Sequence, residues 1–165
     1  LTLIIESTQQ DDFVPRLIPL LTTMPLAQIL EQPFVAALLG PLLERHAEAL
    51  AILRERAACT RGTVFFDVAD RALEGYNKFI PYYLFPQSTY SVGLSGSSFR
   101  TKVAVGSNPW TTADPSSLVN LAAICERYGG GGHARVGAIS FPPDAYEQAS
   151  QAAKEIVAEL EEQQP

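Results

Sequence analysis

Between Tyr128 and Ala138 the chain sets four consecutive glycines, Gly129, Gly130, Gly131 and Gly132, directly before His133, with Arg135 two residues further on. A run without Cβ atoms can take φ > 0 and bring its backbone close to a ligand. Successive main-chain N–H groups in such a turn make a concavity for anions, and an imidazole at its lip donates a further hydrogen bond to a phosphate oxygen. Arg135 would add positive charge. The chemistry suggested is phosphate binding, with a flexible linker or an extended helix C-cap as the competing reading, because glycine runs alone are weak motifs.

Two elements must position that run. Asp114 as a cap, Pro115 in a first turn, and Leu118, Leu121, Ala122 and Cys125 at i, i+3, i+4 and i+7 predict a helix that Gly129 ends. Beyond the run, Val136 to Phe141 is small and apolar, which predicts a buried strand.

The sequence Gly129-Gly-Gly-Gly-His133 followed by small residues resembles the GGGH signature of the DHHA1 domain, the C-terminal half of the DHH phosphoesterases. That superfamily takes in RecJ-like exonucleases, nano-RNases, pAp phosphatases, cyclic-dinucleotide phosphodiesterases and exopolyphosphatases. The resemblance covers roughly Thr63 to the C-terminus, in the order strand, strand, helix, glycine loop, strand, helix. It implies an α/β fold, a small mixed sheet flanked by helices over 61–165, preceded by a mostly helical connector over 1–60. It also implies a role: holding the substrate of a phosphoesterase whose catalysis belongs to a separate DHH domain, where two divalent metals, Mn²⁺ or Mg²⁺, activate water.

The match has departures. Many relatives carry Ser-x-Arg-Ser on the strand before the helix, its arginine helping to hold phosphate. Here the equivalent stretch is Ala104-Val-Gly-Ser107, with Gly106 where that arginine would stand. Ser107 and Asn108 remain as hydrogen-bonding candidates, and Arg100 or Lys102 as replacement cations. After the histidine, relatives usually show a small pair ending in glycine, where this chain has Val136-Gly-Ala138. The two histidines, His46 and His133, are not adjacent, so the Asp-His-His motif is absent from this sequence and no cofactor is expected within it. The expected partners are a nucleotide, a short single-stranded oligonucleotide or another phosphate ester, and the DHH domain of the same parent chain. A homodimer and a free-standing, non-catalytic binding module stay open as alternatives.

Composition bounds the rest. A chain of 165 residues suffices for one domain and an appended helical segment. A formal charge of −6 and a pI near 4.9 argue against holding long duplexes by phosphate neutralisation, while a short ligand in a small basic site stays compatible. Cys59 and Cys125 show no CxxC spacing and read as reduced thiols of a cytoplasmic protein. The best apolar run, Phe34 to Leu43, is interrupted by Gly40-Pro41 and falls short of the ~18 to 20 residues of a membrane helix. No secretory signal is legible, and a first residue of Leu1 suggests a fragment or trimmed product.

Elsewhere, Leu1 to Glu6 suits a strand, Pro15, Pro25 and Pro33 suit first turns of successive helices, and Leu42, His46, Ala49, Leu50 and Leu53 predict an amphipathic helix from Pro41 to near Cys59. His46 reads as a packing residue. Arg61-Gly62 signals a turn and Thr63 to Ala69 a strand buried on both faces. Asp67 and Asp70 read as caps rather than metal ligands. Tyr76, Phe79 and Tyr83 fall at helical spacing and read as packing, whereas Trp110 is the better candidate for stacking on a base, with a lid over the local core as its alternative. Thr89 to Leu94 and Arg100 to Val105 predict a hairpin through Ser95-Gly-Ser-Ser98. Ala149, Ala152, Ala153, Ile156, Val157 and Leu160 give a closing helix its buried stripe.

Overall fold

The computed structural model describes residues 2–8, 12–71, 73 and 75–163. The chain divides into two compact units, 1–49 with 75–77, and 50–74 with 78–165.

The first unit is helical: α1 (Thr2–Ser7), α2 (Phe13–Thr23), α3 (Leu26–Leu30) and the first part of α4 (Pro33–Arg56). The strand expected over Leu1 to Glu6 is instead α1, Leu1 itself lying outside the described residues. A short apolar run cannot be assigned to strand or helix by periodicity, and here Ile4 is buried in a cluster with Phe13, Leu17, Ile29 and Val35. Phe13 meets Phe34 edge-on at 5.5 Å, and the Arg16 guanidinium lies 4.2 Å from the Phe34 ring centre. Pro15 and Pro33 occupy first turns as expected, while Pro25 is the N-cap of α3. Pro41 does not start a helix. It lies inside α4, where the lost hydrogen bond costs about 3 kcal/mol and packing of Leu38, Leu39 and Leu42 against the cluster offsets it. His46 is half-buried, and its Nδ1 is enclosed without a hydrogen-bond partner among the described residues.

The second unit is α/β. Among the described residues it holds a six-stranded sheet in the order β1-β2-β3-β4-β6-β5. The strands are β1 (Ala58–Thr60), β2 (Thr63–Val68), β3 (Tyr90–Gly96), β4 (Thr101–Ser107), β5 (Gly131–His133) and β6 (Val136–Phe141). Only β2 and β3 run parallel, the chain between them carrying α5 (Ile80–Leu84). Strand β1 stands where the sequence predicts the end of a helix near Cys59. Instead α4 stops at Arg56, and Arg61 (φ 43°) with Gly62 (φ 73°) turns β1 back onto β2 as a two-residue hairpin. A three-residue strand exposed along its whole length leaves no burial pattern in the sequence. The β3–β4 hairpin closes where the Ser97 N–H donates to the Arg100 carbonyl at 2.8 Å, and both strands outrun their expected ends.

One face of the sheet carries Tyr90, Val92, Leu94, Val103, Val105 and Ile139. Against it pack Leu121, Ile124 and Cys125 of α6 (Leu121–Glu126) and Ala149, Ala153, Ile156 and Leu160 of α7 (Tyr146–Glu162). Helix α6 begins at Leu121, not near Asp114, with Asn120 as its cap. Asp114 closes a turn of its own: its carboxylate accepts from the Ser116 N–H at 2.7 Å and from the Ser116 hydroxyl at 2.6 Å. Such local side-chain bonds compete with helix formation.

Candidate functional site

The tetraglycine run is not an open loop. Gly129 sits at φ 76° and its N–H donates to the Glu126 carbonyl at 3.1 Å, while the Gly130 N–H reaches back to the Cys125 carbonyl at 2.9 Å. That pair of bonds is a Schellman cap, which satisfies the last carbonyls of α6. From Gly131 the chain becomes β5, paired Gly131 to Ala138, Gly132 to Gly137 and His133 to Val136. A Cβ on Gly130 would stand 2.3 Å from the Ala138 carbonyl oxygen, and one on Gly132, at φ 154°, 2.2 Å from that of Val136. At Gly131 nothing lies within 4 Å. The cradle of bare amides expected here is therefore a helix cap at Gly129 and Gly130 and an edge strand beyond them.

Register then decides which candidates meet. His133 is opposite Val136, and Val136 is opposite Gly106. Directly paired residues share a sheet face, so His133 looks out over the same face as Gly106, two strand spacings or about 10 Å away. Ser107 adjoins this end: its N–H and hydroxyl both donate to the Arg135 carbonyl, at 3.0 and 3.2 Å. The Arg135 guanidinium donates to the Pro115 carbonyl. Asn108 is only 2% exposed, its amide donating to the carbonyls of Pro86 (3.2 Å) and Ser88 (2.8 Å) and accepting from the Trp110 N–H (2.9 Å). It builds the loop rather than facing outward. Arg100 precedes β4 and so stands at the other end of the sheet, about 20 Å from Ser107 along the strand. The structure sets His133, Arg135 and Ser107 at one end of the sheet, with Ser107 on the opposite face from His133, and leaves Arg100 at the other end.

Gly106 has a reason that the sequence hides. A Cβ there would lie 2.6 Å from the Tyr82 hydroxyl, which accepts a hydrogen bond from Ser91 at 2.7 Å and which burial pushes up to about 12 in pKa. Tyr82 fills the space that a side chain at 106 would need.

From Gly106 outward this second face is paved with small groups: Ala104, Gly106, Ala138 and Gly131, with Val136 49% exposed among them. Toward its far end stand Ser140 and Lys102, and the Arg100 guanidinium lies 3.5 Å from the Ser140 hydroxyl. Partial burial, and then Arg100, hold the Lys102 ammonium below its usual pKa. Over β2 and β3 the same face is closed, with Val64, Phe66 and Val68 buried and the Phe66 ring lying over Gly93. The helical face offers a shallow groove of about 480 Å³ lined by Tyr128, Phe141 and α7 residues. Its Glu147 and Glu155 give it the wrong sign for a phosphate.

Asp67 and Asp70 take structural positions. Asp67 accepts from the Ala69 N–H (2.9 Å) and the Tyr146 hydroxyl (2.6 Å). Asp70 forms a two-pronged ion pair with Arg56 at 2.8 and 2.9 Å, which holds its carboxyl below the usual range. Among the described residues no group of three or more His, Cys, Asp or Glu is placed so that it could hold a metal ion. Nor, among those residues, is any helix long and apolar enough to cross a membrane.

No family model and no curated protein matches the sequence. Solved structures do. A pGpG-specific phosphodiesterase, PggH, from Vibrio cholerae superposes with a TM-score of 0.67 at 22% identity, over 92% of this chain and 52% of that one. An exopolyphosphatase-related protein from Bacteroides fragilis gives 0.54 at 12% identity, over 93% and 44%. The chain thus spans about half the length of these structures. Likeness at such identity is a likeness of fold alone: the chain, with its mixed sheet and preceding helical region, shares the fold of part of these two structures.

Proposed function

We propose that this chain holds the substrate of a DHH-type phosphoesterase, a phosphate ester of a nucleotide or short oligonucleotide, on the small-residue face of its sheet. One observation carries the reading: among the described residues a half-exposed strip of that face runs from the His133 imidazole to Lys102 and Arg100, neither of which forms an ion pair with a carboxylate there. A floor of Gly and Ala lets a chain of phosphates and sugars lie close to the backbone. An imidazole N–H at one end and two cations at the other suit anionic oxygens. The glycines serve by staying small beside His133, and Arg135 adds charge at that end. The two similar structures, a pGpG-specific phosphodiesterase and an exopolyphosphatase-related protein, support a phosphate-bearing ligand.

Hydrolysis in this reading needs the DHH domain of a longer parent protein, with Mn²⁺ or Mg²⁺ supplying activated water, and the ligand lying between the two. Two free thiols, Cys59 and Cys125, accord with a cytoplasmic setting. Calorimetric titration with pGpG, pAp, a cyclic dinucleotide, a short oligoribonucleotide and polyphosphate tests the assignment. At least one should bind wild type and lose most of its heat in both His133→Ala and Lys102→Met. Identical heats in all three proteins would remove the face from consideration.

A further inference from the structure

We propose that Trp110, braced by Phe79, is a nucleobase platform beside this face, so that the ligand class is a nucleotide rather than polyphosphate; the proposal rests on the reading of the face as a phosphate-ester site. Trp110 is the chain's one tryptophan and is 66% exposed, although a ring of that size is ordinarily kept from water. It does not stand on a loose tip. Buried Asn108 holds its N–H, the Thr111 N–H closes the turn onto the Asn108 carbonyl at 3.2 Å, and the Trp110 ring meets Phe79 edge-on at 5.5 Å and 61°. Lys78 lies 5.3 Å from the Phe79 ring centre, which adds a cation beside the platform. Further positive charge there suits an anionic ligand.

Placement supplies the second argument. Phe79 is the N-cap of α5, and three residues later Tyr82 sets its hydroxyl on Gly106, the position in register with His133 across β6. Imidazole and platform are thus at the same end of the sheet. A base on Trp110 and its phosphate at His133 fit that order. Polyphosphate has no group for the ring to stack on, whereas every base has a π-face.

A single tryptophan makes the test direct, because emission from the whole chain reports on this ring. Titrating pGpG should quench the fluorescence, and tripolyphosphate should leave it unmoved. By calorimetry Trp110→Ala should bind pGpG about 5- to 150-fold more weakly. Trp110→Phe should recover most of the loss. If pGpG binds in a His133-dependent manner but without quenching, and Trp110→Ala binds as wild type does, the platform is wrong and the face survives. The same holds if Trp110→Ala lowers Tm at unchanged affinity, which would make the ring a lid on the local core. If neither ligand binds wild type, the face and the platform fall together.

Discussion

The two faces of this sheet are made from the same strands and have opposite characters. One is paved with Tyr90, Val92, Leu94, Val103, Val105 and Ile139 and sealed by two helices. The other, over β4, β6 and β5, carries Ala104, Gly106, Gly131 and Ala138 and, apart from the Tyr82 hydroxyl over Gly106, stays half-exposed. Alternation along a strand sends successive residues to opposite faces, so each strand had to satisfy packing at one position and close approach at the next. What the difference teaches is that side-chain volume separates the face that holds the domain together from the one proposed above to hold a ligand.

The largest way to break that contrast is a cavity on the sealed face. Leu121→Ala, at a fully buried position, should cost about 2 to 5 kcal/mol by chemical denaturation. Ala138→Leu, on the open face, should stay within about 0.5 kcal/mol of wild type while abolishing phosphate-ester binding. If Ala138→Leu unfolds the protein, or binds ligand normally, the open face is not a ligand floor.

The glycine run gives a finer test, because its four members have different reasons to be glycine. Gly130→Ala and Gly132→Ala push a Cβ into a backbone carbonyl and should each cost about 1 to 3 kcal/mol. Gly129→Ala places an L-residue in the left-handed region, which costs about 1 to 2 kcal/mol. Gly131→Ala, with open space at its Cβ, should be close to neutral in stability. Melting curves for the four variants would rank them in that order; equal losses at all four positions would contradict the cap-then-strand geometry.

That run also marks the limit of the sequence. Its identity was legible, its shape was not, since helix cap and edge strand are written in the same residue. The β2, β3, β4 and β6 strands, and α7, announced themselves through apolar periodicity and a polar hairpin turn. The fold class followed. Strand β1, α1 and the unbroken α4 did not, because a short exposed strand has no pattern, a short apolar run has an ambiguous one, and a proline can be outweighed by the packing around it. Of the site, the distance between Arg100 and Ser107 needed strand lengths, and the glycine at 106 needed Tyr82, a residue 24 positions earlier that only tertiary structure brings near.

Lys102 couples the two faces' different demands in one residue. Its ammonium is partly desolvated and lies near Arg100, so its folded pKa is lowered from 10.5. A base with a depressed folded pKa destabilises the native state while charged, a penalty present in full below that folded value and relieved as pH rises through it toward 10.5. Lys102→Met should therefore raise Tm at neutral pH and weaken phosphate-ester binding at the same time, with the stability gain shrinking in alkaline buffer.

The smallest effect belongs to the ion pair of Arg56 and Asp70, which joins the end of α4 to the turn after β2. Asp70 is held below its ordinary 3.8 chiefly by its hydrogen bonds to Arg56. A carboxylate with a depressed folded pKa stabilises above the unfolded value, and that contribution is lost as pH falls through the folded one. Both groups face solvent, so Asp70→Asn should lower Tm only slightly at pH 7, and the gap from wild type should close in acid below about pH 4 and narrow in high salt. Ligand affinity should not change, because this pair lies on strand β2's side of the sheet, away from β5 and β6. A drop in pGpG affinity in Asp70→Asn would mean that the closed half of the sheet shapes the open half, and the separation of holding from binding would have to be redrawn.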